Sequence, residues 1–95
     1  MKLPKTIEIM GHTFTVEEYP DSIAVDESLG TGHFMSGMIA LRNGMSDDVK
    51  LSTLFHEAIH MAARATSLEM SESQISIAAI AAVSVHRAFV TRKEK

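Results

Sequence analysis

Leu51, Leu54, Phe55, Ala58, Ala62 and Ala65 recur at helical spacing and fall within a stripe of about 100° around one axis. Ser46-Asp47-Asp48, just before them, offers a capping hydroxyl and two acids for the positive end of a helix dipole. The pattern predicts a helix running to about Ala65, which must bury its stripe against other elements. Inside it stands His56-Glu57-Ala58-Ile59-His60. Residues four apart on a helix share a face, so the two imidazoles project together, on the side away from the apolar stripe. Two His in that relation can close on one tetrahedral zinc ion. Glu57 then projects beside the metal, where a carboxylate can serve as base for a metal-held water in peptide hydrolysis.

The pentapeptide does not carry the reading alone. Five His and eight Glu in 95 residues generate it by chance in roughly one chain in fifty. A single helical His is ordinarily solvated or satisfied in a core. Two of them at this spacing, with Glu between and off an anchored stripe, are a different matter, and composition narrows the chemistry further. With no cysteine, thiolate zinc sites, disulfides and cysteine nucleophiles are excluded, and any zinc must use His and carboxylate ligands. Ninety-five residues make one domain with one core and leave room only for a shallow site. Net charge is −3, and Lys and Arg are scattered apart from Arg92-Lys93-Glu94-Lys95, so nothing marks a nucleic-acid binder.

The opening MKLPKTIEIM has Pro4, Lys5 and Glu8 where a secretory signal needs an apolar run, so a cytoplasmic protein is expected, in the host cytoplasm if phage-encoded. The apolar stretch 75–85 contains Ser76 and Ser84 and is shorter than the roughly 20 residues that span a bilayer. It predicts a buried helix and no membrane partner.

The segments 6–10 and 13–17 alternate polar and apolar residues about Gly11-His12, which predicts a β-hairpin. Pro20-Asp21 ends it, 22–25 is expected as a short extended piece and 26–32 as a surface loop. Residues 33–41 predict a third strand with Gly37 as a bulge, and Asn43-Gly44 a turn. After a connection at 66–70, Ser71-Glu72-Ser73-Gln74 fits a capping box opening a second helix from about Glu72 to Arg92. That helix is apolar nearly all round and is expected at the centre of the core. The fold class is α+β: a sheet of about three strands, antiparallel or mixed, packed on two long helices.

A catalytic zinc held by two His needs a third protein ligand. Glu72, at the start of the second helix, can be brought back against the HExxH helix, although an acid in a first helical turn is also explained by the helix dipole alone. Glu69, in the connection, is the substitute. His86 is about 21 Å along the helix from Glu72, too far to share its ion. A donor toward a developing oxyanion can come from His12, Tyr19, His33 or His86, and the pattern does not choose among them.

Ile7-Glu8-Ile9-Met10-Gly11, Phe14-Thr15-Val16, the stretch 32–41, Thr53 to His60, and Met70-Ser71-Glu72-Ser73-Gln74-Ile75 follow one another in an order that resembles the ImmA/IrrE family of minimal zincins. Small metallopeptidase-like proteins of phages and prophages are related to that family. The resemblance covers most of the chain, with the HExxH segment its specific part. It implies a small zincin-like metallopeptidase domain over 1–95, with His56, His60 and Glu72 as zinc ligands and Glu57 as base. Ser73 departs from relatives that carry a second acid there. The resemblance also implies a peptide or protein substrate pairing with the third strand as an edge, which would place 35–41 along the cleft. Such an edge suits a monomer or a weak homodimer. A zincin-fold module that holds zinc and recognises a protein partner without cutting it is the alternative.

Overall fold

The structure, a computed structural model, describes residues 2–20 and 29–93. β1 (Thr6–Ile9) and β2 (His12–Tyr19) form the expected hairpin, with Ile9 paired to His12. Its turn sits one residue earlier than the sequence indicates, at Met10 and Gly11. Both have positive φ, 52° and 84°, the geometry that lets a two-residue turn follow the right-handed strand twist.

The expected third strand is two strands. β3 (Gly30–His33) and β4 (Met38–Arg42) pair antiparallel and are joined by a turn over 34–37. Gly37 has φ 66° and donates its N–H to the Phe34 carbonyl at 3.2 Å. Its left-handed backbone reverses the chain where a bulge was expected. Gly30, Thr31 and Gly32, expected in a loop, are strand, whereas the piece at 22–25 and the loop's first residues lie outside the described residues.

The sheet is mixed, in the order β1-β2-β4-β3, with β2 and β4 parallel and the other pairs antiparallel. β4 is therefore interior, and Ile39 and Leu41 are fully buried. This corrects the edge assignment: Met35 sits in the turn, 38–42 are paired on both sides, and the edge strands among the described residues are β1 and β3.

α1 (Asp47–Ala65) begins at Ser46, whose hydroxyl accepts from the Val49 N–H at 3.3 Å. It lies against the sheet, where Leu54 and Met61 pack with Phe14, Ile39 and Leu41. The close approach depends on two glycines in β3. A Cβ at Gly30 would come within 2.7 Å of Thr53 Cγ2, and one at Gly32 within 2.7 Å of Met61 Cε. α2 (Glu72–Lys93) packs on α1 through Ile75, Ala79 and Val83, a buried row at four-residue spacing.

The layers are thus sheet, α1, α2, and the central helix is α1. The expectation of a central α2 fails because α1 is held on two flanks, by the sheet and by α2, while among the described residues the main packing partner of α2 is α1. For the same reason the predicted stripe of α1 is half-buried, and its most buried residues are Met61 and Ala63. Full burial of side chains such as Phe14, Ile39, Leu41 and Ile75 stabilises the fold by about 1.5–3 kcal/mol each.

Candidate metal centre

His56 and His60 lie one turn apart on α1, their rings edge-on with centroids 4.9 Å apart. What reaches them is decided by how the chain leaves α1. Thr66 N–H bonds the Ala62 carbonyl at 3.1 Å and Leu68 N–H the Ala63 carbonyl at 2.9 Å, while Ser67 takes φ 56°. These bonds end the helix and turn the chain back. Ser71 and Gln74 then close the expected capping box: Gln74 N–H donates to Ser71 Oγ at 3.1 Å, and Ser71 N–H to Gln74 Oε1 at 2.8 Å. Glu72 is thereby the first residue of α2, facing the histidines.

Its carboxylate spans both rings. Oε1 lies 2.7 Å from His60 Nε2 and Oε2 lies 3.2 Å from His56 Nε2. Three ligand atoms, one from each residue, lie within 4.8 Å of one another. Zinc bonds of about 2.0–2.2 Å in a tetrahedron separate neighbouring ligand atoms by about 3.3 Å. Two imidazole nitrogens and a carboxylate oxygen therefore fit zinc in donor type and, with adjustments of up to about 1.5 Å, in spacing. The Glu72 side chain is 72% exposed, free to make those adjustments.

Glu57 follows His56 and is half-buried beside β3; a Cβ at Gly32 would stand 3.4 Å from its Oε1. Burial raises its carboxyl above the usual carboxylate range. The two histidines pull it down, His60 more than His56, and the Glu72 charge pushes it up. The result is a carboxylate more basic than an exposed one, next to the candidate ligands.

These residues open into a cleft of about 550 Å³ between β3 and α2, lined also by Leu29, Gly30, Ser52, Ser76 and Ile80. Ser52 and Ser76 carry no motif that marks them as site residues. Helical spacing was the available signal, since Ser52 precedes His56 by four and Ser76 follows Glu72 by four. Glu69 is not part of the His56, His60 and Glu72 group; it lines a second groove with His60 and Arg64. None of the four aromatic donors lines the cleft. His12 stacks near Phe34 at 5.2 Å, His33 Nε2 is 3.3 Å from Thr31 Oγ1, His86 stands 6.2 Å from the Phe55 ring, and Tyr19 closes β2.

No family model, curated protein or solved structure matches this chain.

Proposed function

We propose that this chain is a zinc-dependent peptidase of minimal zincin design. One observation carries the reading: the Glu72 carboxylate reaches the Nε2 atoms of both His56 and His60 while Glu57 stands beside them. His56, His60 and Glu72 would hold the ion. Zinc bound there supplies Lewis acidity toward a peptide carbonyl and makes its water acidic near neutral pH. Glu57 accepts the proton of the attacking water and returns it to the leaving amine nitrogen. Its partial burial suits the task, because a raised carboxyl is a stronger base and holds the proton long enough to deliver it. Gly32 of β3, an edge strand among the described residues, borders Glu57, and the strand at Thr31–His33 would pair with an extended peptide. Leu29 and Ile80 provide apolar contact in the cleft.

The test is metal analysis of the purified protein together with cleavage of a fluorogenic peptide library by wild type and Glu57→Gln. Stoichiometric zinc in both and cleavage by wild type alone is the expected result. A wild type that binds no zinc sinks the reading.

The second reading, a zinc-holding module that recognises a protein partner without turnover, is favoured by one fact. Among the described residues, neither a histidine other than His56 and His60 nor a tyrosine lines the cleft to face an oxyanion. On this reading wild type and Glu57→Gln both hold zinc, neither cuts the library, and both bind the same partner equally well.

A further inference from the structure

Three large apolar side chains that the fold leaves partly in water meet at one place. Leu29 is 44% exposed, Val49 41% and Ile80 62%. They come from the residue before β3, the first turn of α1 and the middle of α2, and all three line the cleft that holds His56, Glu57, His60 and Glu72. Apolar surface gathered in a concave site beside a few polar groups marks a ligand pocket.

Its depth follows from the helices. Glu72 meets His56 and His60 while Arg87 meets Asp48 at 2.9 Å, so α1 and α2 run antiparallel. Ser52 and Val49 precede His56 by four and seven residues, and Ser76 and Ile80 follow Glu72 by four and eight. Both sets therefore extend from the candidate ligands in one direction, toward the start of α1. At about 1.5 Å per residue, the serines stand about 6 Å along the axes from those ligands, and Val49 and Ile80 about 10–12 Å. Ser52, Ser76 and Ala79 are small and keep the space open. Thr53 adds a methyl to it, because its hydroxyl donates back to the Val49 carbonyl at 2.7 Å. A space of this depth is filled by a long side chain and left half empty by alanine.

Charge decides what kind of side chain. Glu57 and Glu72 stand at the metal end and Asp48 at the other, where Arg87 answers it. Between the two ends no lining residue among those described carries a charge. An acidic or basic group placed there would lose water without gaining a partner, whereas an apolar one would cover Leu29, Val49 and Ile80. Granted the zinc peptidase reading, we propose that this end of the cleft is the pocket that sets substrate choice. It takes a large apolar side chain, of the size of leucine, directly beside the scissile bond, and Ile80 is the residue that selects it.

Binding of hydroxamates to the zinc-loaded protein tests the pocket without requiring turnover. The probes carry a leucine, alanine, aspartate or lysine side chain next to the chelating group, on either side of it, and are titrated by calorimetry into wild type, Ile80→Lys and Ile77→Lys. In one of the two series wild type should bind the leucine probe at least about tenfold more tightly than the alanine probe, and the charged probes more weakly still. Ile80→Lys should reverse the order and take aspartate over leucine, at unchanged zinc affinity. Ile77→Lys, at a position 69% exposed and outside the cleft, should rank the probes as wild type does. Zinc binding also verifies that each variant is folded. Zinc-loaded wild type that ranks the probes equally, or Ile80→Lys that keeps the wild-type order, overturns the pocket and leaves the metal centre standing. Wild type that binds no zinc overturns both. Leucine-selective binding of the probes with no cleavage of the peptide library supports the pocket and sinks turnover alone.

Discussion

Replacing Glu72 with Gln separates a ligand from an ordinary helix-terminal acid. Without metal, the carboxylate makes two contacts to His56 and His60, at 3.2 and 2.7 Å, from a side chain 72% exposed. Exposed pairs of this kind contribute about 0.2–1 kcal/mol. The metal-free variant should therefore melt no more than about 8 °C below wild type, taking 4–8 °C per kcal/mol for a domain of this size. Zinc changes the comparison. At about a hundred times its dissociation constant it stabilises a one-site protein by about 2.7 kcal/mol, which raises the wild-type melting temperature by about 11–22 °C. Loss of a residue supporting a ligand weakens metal binding by about 10–100-fold, and loss of the ligand itself should do at least as much. If affinity falls about a hundredfold, the same zinc concentration stabilises the variant by only about 0.4 kcal/mol, or about 2–3 °C. Differential scanning fluorimetry with and without zinc, alongside His60→Ala, measures all of these shifts. A Glu72→Gln protein that gains as much from zinc as wild type would refute the assignment and reduce Glu72 to a dipole partner.

Three further outcomes follow from the same geometry. Ser71→Ala removes the hydroxyl that accepts from Gln74 N–H; stability should fall by about 1 kcal/mol, and zinc titration should show weaker binding because the start of α2 no longer aims Glu72. Gly30→Ala would press a Cβ to 2.7 Å from Thr53 Cγ2 and 3.1 Å from the Ala40 carbonyl. It should cost about 1–3 kcal/mol in urea denaturation, and more than Gly32→Ala, whose Cβ meets the flexible end of Met61. Glu57 has a raised carboxyl, chiefly from burial, so its protonated form suits the fold and its ionised form costs stability. The associated stability is complete below the unfolded carboxylate value and declines as pH rises through the higher folded one. Metal-free Glu57→Gln should therefore melt above wild type at neutral pH and converge with it in acid, and a wild type that is the more stable at neutral pH contradicts this.

The helical elements were legible because their signals are local. Ser46 before the α1 pattern and the Ser71 to Gln74 box are hydrogen bonds within one turn, and both form as the spacing predicts. The hairpin of β1 and β2 is equally local, apart from a one-residue shift of its turn. Residues 33–41 look like one strand in the sequence because a glycine among apolar residues fits a bulge and a reversal alike. The left-handed conformation of Gly37 is settled by β4 pairing in parallel with β2, a contact between distant segments.

His56, Glu57 and His60 form a group by helical period alone, so their shared face was determined by the sequence. Glu72 was nominated from sequence, but its contact with both rings needs the reversal at Thr66 to Leu68 and the packing of α2 on α1. The order of layers was decided only in three dimensions. A helix apolar nearly all round can be central or can wait for a partner, and its own residues do not distinguish the two. Burial depends on which surfaces come together: the sheet and α2 took the two flanks of α1, and Ile77, Val85 and Phe89 remained outside.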